Sequence, residues 1–192
     1  MRENLGKPMF NTEGTVVECT MPASNDTPAY SIASKNQTDI IFTRDSGAFG
    51  EAAFAKGKYL VIPIFFEEPH AFNIIMRFYE NYGTPQEVHT KVAYGVLPGF
   101  VHYITVNLGI LDFSGEEQPR IPGRLTFMRT NAPTRPDKLD ALVITIPKSA
   151  TDYTVLMGAP YLSNELPVQP LYDGAYVDRL GQWALKDWKG KT

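Results

Sequence analysis

The sequence predicts an all-β fold, an antiparallel β-sandwich of jelly-roll type, and three observations carry that prediction. Apolar runs of strand length, rich in β-branched and aromatic residues, recur between clusters of Pro, Gly, Asn and Asp. Several of them are apolar at alternate positions only, the period of a half-buried strand rather than of a helix. The length of 192 residues suits one hydrophobic core, and sandwiches of this size are common.

In chain order the strands are expected near Thr15–Cys19, Tyr30–Ala33, Asp39–Phe42, Tyr59–Phe66, Asn73–Tyr79, Val88–Tyr94, Val101–Leu108, Leu125–Arg129, Leu139–Ile146 and Val155–Leu162. The stretch Gly47–Lys58 reads as a loop with room for one helical turn, since its glycines oppose a longer helix. Val61–Phe66 is apolar throughout, as a strand covered on both faces would be, yet Pro63 within it argues for an edge or a bulge. In Asn73–Tyr79, Ile74, Met76 and Phe78 take the inward parity, which sends Ile75, Arg77 and Tyr79 outward. Pro98–Gly99 reads as a tight turn, pairing Val88–Tyr94 with Val101–Leu108 as antiparallel neighbours. The sandwich is expected to span 1–163, followed over 164–192 by a Pro-rich, aromatic tail or linker.

Composition removes several classes of function. A formal net charge of −3 leaves no basic face suited to a run of phosphates, so nucleic acid is not an expected partner. No stretch approaches the roughly 20 apolar residues that cross a bilayer, and Met1–Phe10 lacks the apolar run of a signal peptide. Neither a membrane nor an uncleaved leader is expected. Cys19 is the single cysteine, which excludes an intrachain disulfide and a cysteine zinc site and reads as a structural thiol.

The constellations that mark an enzyme are not found. His70, His89 and His102 lack the spacing of a zinc helix, and the neighbouring carboxylates Glu67–Glu68 and Glu116–Glu117 point apart as loop residues. The glycines of Gly47–Gly50 and Gly57 lack the lysine and hydroxyl of a phosphate loop. Binding a sugar needs less: rings for the apolar faces of pyranoses, and polar side chains for their hydroxyls. Arg77, Tyr79, His89, Lys91 and Tyr103, with Arg129 on a later strand, form a candidate carbohydrate platform if their strands share a sheet. The same set also fits an ordinary solvated sheet face. Trp183 and Trp188 lie in the tail, where they either stack on sugar or pin the tail to a neighbouring domain; the second reading is preferred.

The tail also carries a resemblance. YVDRLGQWALKDWKGKT, from Tyr176 to Thr192, resembles the VDE-GQ-x-DWPGK junction of family 50 β-agarases, with Val177, Asp178, Gly181, Gln182, Asp187, Trp188, Gly190 and Lys191 matching. Arg179 and Lys189 depart from it, where an acidic residue and a proline are usual. The resemblance implies an N-terminal carbohydrate-binding-like domain of galactose-binding-domain-like type, with a catalytic barrel following the junction. It implies a non-catalytic module that binds a polysaccharide or oligosaccharide, accessory to degradation of agarose-like galactans. It further implies no required cofactor, room for a structural calcium held by loop carboxylates and carbonyls, and an extracellular or periplasmic location for the natural precursor. Two other readings stand beside it. One is a structural accessory domain that binds no sugar; the other is a small jelly-roll lyase using His89, Lys91 and Tyr103 as acid and base.

Overall fold

The computed structural model describes residues 3–21, 28–43, 57–66, 72–96, 101–111, 126–130 and 132–167. They form an antiparallel sandwich of two sheets, and the described residues contain no α-helix, only 3-10 turns at Leu108–Ile110 and Pro136–Lys138. The strands are β1 (Glu3–Asn4), β2 (Met9–Asn11), β3 (Thr15–Thr20), β4 (Pro28–Ser34), β5 (Thr38–Thr43), β6 (Tyr59–Phe66), β7 (Phe72–Glu80), β8 (Val88–Val96), β9 (His102–Asn107), β10 (Thr126–Thr130), β11 (Ala141–Ile146), β12 (Tyr153–Gly158) and β13 (Tyr161–Ser163). β1 and β2 were not expected, being too short to show an alternation of their own.

The seven-stranded sheet runs β1-β13-β6-β12-β4-β3, with β9 on the other side of β6. The six-stranded sheet runs β10-β8-β7-β11-β5-β2. Between them lies one core, in which Leu60, Ile62, Ile64 and Phe66 of β6 meet Ile74, Met76 and Phe78 of β7, Leu142 and Ile144 of β11, and Ile40 and Phe42 of β5. The inward parity expected for β7 is therefore the observed one. One polar side chain within this core, Thr90, is bonded on several sides. The Thr90 hydroxyl, fully buried, donates to the carbonyls of Leu111 (3.1 Å) or Ala132 (3.0 Å) and shares a 2.8 Å bond with the Thr134 hydroxyl.

Two local expectations are resolved by the topology. β8 and β9 are not a hairpin: β8 pairs with β7 and β10, so both its edges are occupied, and β9 pairs with β6 in the opposite sheet. The intervening segment, which includes Pro98–Gly99, lies outside the described residues. Tyr94 of β8 and His102 of β9 instead meet across the core, edge to face, with ring centroids 5.5 Å apart. His102 thus takes the inward parity despite its polarity, and Tyr103 faces away from the core.

Pro63 sits in a central strand, neither on an edge nor in a bulge of its own. β12 pairs with β6 up to Met157↔Ile64, and β13 resumes at Tyr161↔Val61. The partner chain carries one extra residue between those pairs, so Pro63 lies opposite a break where it has no ladder bond to give. Both faces of β6 are buried, as its unbroken apolar run implies: Tyr59, Val61 and Phe65 on its outer side are covered as well.

The expected tail beyond Pro167, the loop Gly47–Lys58 as far as Lys56, and the residues His70, Glu67–Glu68 and Glu116–Glu117 lie outside the described residues.

Candidate carbohydrate-binding face

The outer face of the six-stranded sheet is read directly from the register. One row crosses Ile41 (β5), Val143 (β11), Arg77 (β7) and Lys91 (β8), with Arg129 (β10) at the next register position. A neighbouring row crosses Thr43, Ala141, Tyr79 and His89. On the other side a third row brings Asp39, Thr145 and Ile75 together. Four of the sequence-derived candidates, Arg77, Tyr79, His89 and Lys91, therefore share one face. Arg129 joins their row in register.

Tyr103 does not. It lies on β9 of the other sheet, on the outer face opposite to this one, packed against Tyr59, Val61 and Tyr161 on one side and Phe65 on the other. Its inclusion rested on β8 and β9 being sheet neighbours, and the crossing between sheets removes it from the platform.

Aromatic rings cluster at one end of the face. The Tyr79 ring meets Tyr82 edge to face at 4.9 Å and His89 at a tilt, also 4.9 Å. Tyr79 points outward, yet it is only 9% exposed, because Ala141, Val143, Ile41 and Tyr82 pack round it. Tyr82 is the more accessible ring. It belongs to the turn after β7, where Asn81 (φ 56°) and Gly83 (φ 75°) take left-handed conformations. The Tyr82 amide donates to both oxygens of the Asp140 carboxylate at 3.2 Å, and the Asp140 amide donates back to the Tyr79 carbonyl at 2.9 Å. This reciprocal clamp fixes the ring beside the sheet.

A polar relay runs next to the rings. Arg77 Nη1 donates to Thr145 Oγ1 at 3.0 Å, and Thr145 Oγ1 donates to Asp39 Oδ1 at 2.7 Å. Burial pushes the Tyr79 and Tyr82 phenols above their ordinary values, Arg77 offsetting part of the effect at Tyr79. Burial, then the Arg77 charge, lowers His89 below the ordinary histidine value, with Lys91 adding and Glu87 opposing. The face thus offers neutral phenols and a neutral imidazole for stacking and hydrogen bonding, beside two cations.

Among the described residues, no three His, Cys, Asp or Glu side chains converge on a metal-sized site. Cys19 is half-buried beside Met21, Ala29 and Phe65, and burial raises its thiol.

No protein family matches the chain by sequence, and no curated protein does either. Solved structures do. An exo-β-agarase superposes with a TM-score of 0.58 at 10% identity, over 86% of this chain and 24% of its own, and PfGH50B with 0.55 at 10% identity, over 88% and 24%. A family 30 carbohydrate-binding module of a cellulosomal cellulase from Clostridium thermocellum superposes with 0.52 at 12% identity, over 85% of this chain and 94% of its own. The fold is that of a carbohydrate-binding-module sandwich. The chain spans about a quarter of the agarase and nearly the whole length of the isolated module.

Sequence parity placed Arg77, Tyr79, His89 and Lys91 on one outer face, while Tyr82, Asp39 and Thr145 are set beside them only in the structure. Tyr82 escaped because it lies in a turn, outside any alternation; its signal was position, directly after a strand already assigned to the platform. Asp39 and Thr145 sit on strands that were recognised, but their adjacency to Arg77 depends on strand order.

Proposed function

We propose that the chain is a non-catalytic carbohydrate-binding module, with the outer face of its six-stranded sheet as the sugar platform. The observation that carries this reading is the Tyr79–Tyr82–His89 ring cluster set beside Arg77 and Lys91 on one sheet face. Rings cover the apolar face of a pyranose while guanidinium, ammonium and imidazole bond its hydroxyls. The likeness in fold to a carbohydrate-binding module and to part of an exo-β-agarase supports it. The superposition on a quarter of the agarase favours a role beside a catalytic barrel in polysaccharide degradation.

Tyr79 is a poor probe, since its truncation would open the apolar cluster that it fills. The test is affinity electrophoresis of the chain and of Tyr82→Ala/His89→Ala in gels containing agarose, carrageenan or β-glucan. Loss of one stacked ring is worth about 1–3 kcal/mol, by analogy with stacking on bases, so retardation should weaken at least about tenfold with an unchanged circular dichroism spectrum. Retardation unchanged in the double variant moves the site elsewhere. A parent chain retarded by none of them favours the second reading, a structural accessory domain, which the superposition on part of an agarase also suits.

A further inference from the structure

The register places two basic residues, Arg77 and Lys91, directly opposite one another on neighbouring strands, and the Arg129 backbone pairs with Lys91 on the strand beyond. Side chains so placed have Cβ atoms about 4.5–5.5 Å apart, and like charges there destabilise the sheet. The chain as a whole is acidic, at −3, so this row does not follow from its general composition. Neither Arg77 nor Lys91 is in a direct ion pair with a carboxylate: among the described residues the one ion pair is Lys7–Glu18, and the Asp39 carboxylate reaches Arg77 only through the Thr145 hydroxyl. The nearby acids accept their hydrogen bonds from neutral donors rather than from these cations. Asp39 accepts from Thr145 and from Gln37 at 3.4 Å, Glu87 accepts from the Gly83 amide at 2.8 Å, and Asp140 holds the Tyr82 amide. Of the five N–H donors of Arg77, the described residues use one, toward Thr145, and a guanidinium presents the remainder as a planar fork that fits two oxygens of an acid.

We infer that the ligand of this face is an anionic polysaccharide, one bearing sulfate esters or carboxylates, whose acid group seats on the Arg77–Lys91 row while an adjoining sugar ring lies against Tyr82 and His89. This rests on the sugar-binding reading of the face and names the class of sugar. An ester sulfate or a uronate carboxylate offers the oxygens that the fork needs. A neutral galactan or glucan would leave the like charges opposed, with nothing gained for their cost.

Binding is measured by affinity electrophoresis of the full chain against a sulfated galactan (ι-carrageenan), polygalacturonate, agarose and a mixed-linkage β-glucan, each at low and at raised sodium chloride. The expected result is retardation by carrageenan or polygalacturonate that weakens as salt rises, with little retardation by the neutral polymers. Arg77→Gln/Lys91→Gln should weaken it at least about tenfold, whereas the charge-keeping Lys91→Arg should retain it; melting temperatures confirm that both variants fold. Equal, salt-insensitive retardation by agarose, unchanged in the glutamine variant, would overturn the anionic class and leave the sugar platform standing. Retardation by none of the four polymers would overturn both. Equal retention by duplex DNA would also overturn the inference, by reducing the row to a general polyanion surface.

Discussion

His89 shows how a single side chain on this face couples stability to pH. Its imidazole lies against Tyr79, with Arg77 and Lys91 also nearby, and burial followed by those charges holds its titration below the ordinary value. The unfolded chain therefore takes up the proton at higher pH than the folded one, at about 6.5. The sign follows: the contribution of a neutral His89 is complete above that value, is lost as pH falls through it, and stops declining once the folded ring is protonated too. Replacing His89 by Gln should flatten the acid side of the melting-temperature profile between about pH 7 and pH 5. The carbon-bound ring protons of His89 should titrate below those of a histidine in an unstructured peptide. A histidine signal titrating at or above the free value would contradict the placement of this ring between phenol and cations.

At the scale of elements, the junction of β12 with β13 turns a proline into a permissible central residue. Its extra residue falls where β6 carries Pro63, so the strand that lacks a donor faces the stretch that asks for none. Gly158 makes the approach possible: a Cβ there would lie 3.0 Å from Pro63 Cβ and Cγ and 3.2 Å from Met21 Cε. The methionine can move, whereas the pyrrolidine, held by β9 through the Pro63↔Tyr103 register, cannot move far. Gly158→Ala should therefore cost about 1–3 kcal/mol, read as a shift of the urea midpoint without a change in slope. Retention of full stability would show that β12 and β13 have slack at their junction.

At the scale of the whole molecule, the two sheets share one main core among the described residues. Phe78, fully buried on β7, lies in that common layer with Phe42, Leu142 and the inner residues of β6. Phe78→Ala should lower the unfolding free energy by about 3–5 kcal/mol. It should do so for both sheets together: near-ultraviolet tyrosine ellipticity and far-ultraviolet strand ellipticity should fall in one coincident transition. Separate midpoints would mean that the sheets are independent units and that the six-stranded sheet can melt while the rest persists.

Most of the strands, and the parity of β7 and β8, were determined by the sequence alone, because both are local. Ile74, Met76 and Phe78 alternate with Arg77 and Tyr79 at the period of a strand, and burial of one set leaves the other outside whatever the strand's neighbours are. The same reasoning placed His89 and Lys91 outward, and it marked β6 as covered on both faces. Which strands are neighbours was decided only by the tertiary structure. The Pro98–Gly99 dipeptide is compatible with a hairpin and with a crossing between sheets; the occupied edges of β8 chose the crossing, and with it moved Tyr103 to the far side of the molecule. Pro63 was ambiguous for a related reason, since whether a missing donor matters depends on what the partner strand offers at that register. The relay from Arg77 through Thr145 to Asp39 joins three strands separated by scores of residues in the chain, and no periodicity within one strand encodes such a contact. Local alternation sets which way a side chain faces; pairing, a long-range choice among many edges, sets what it faces.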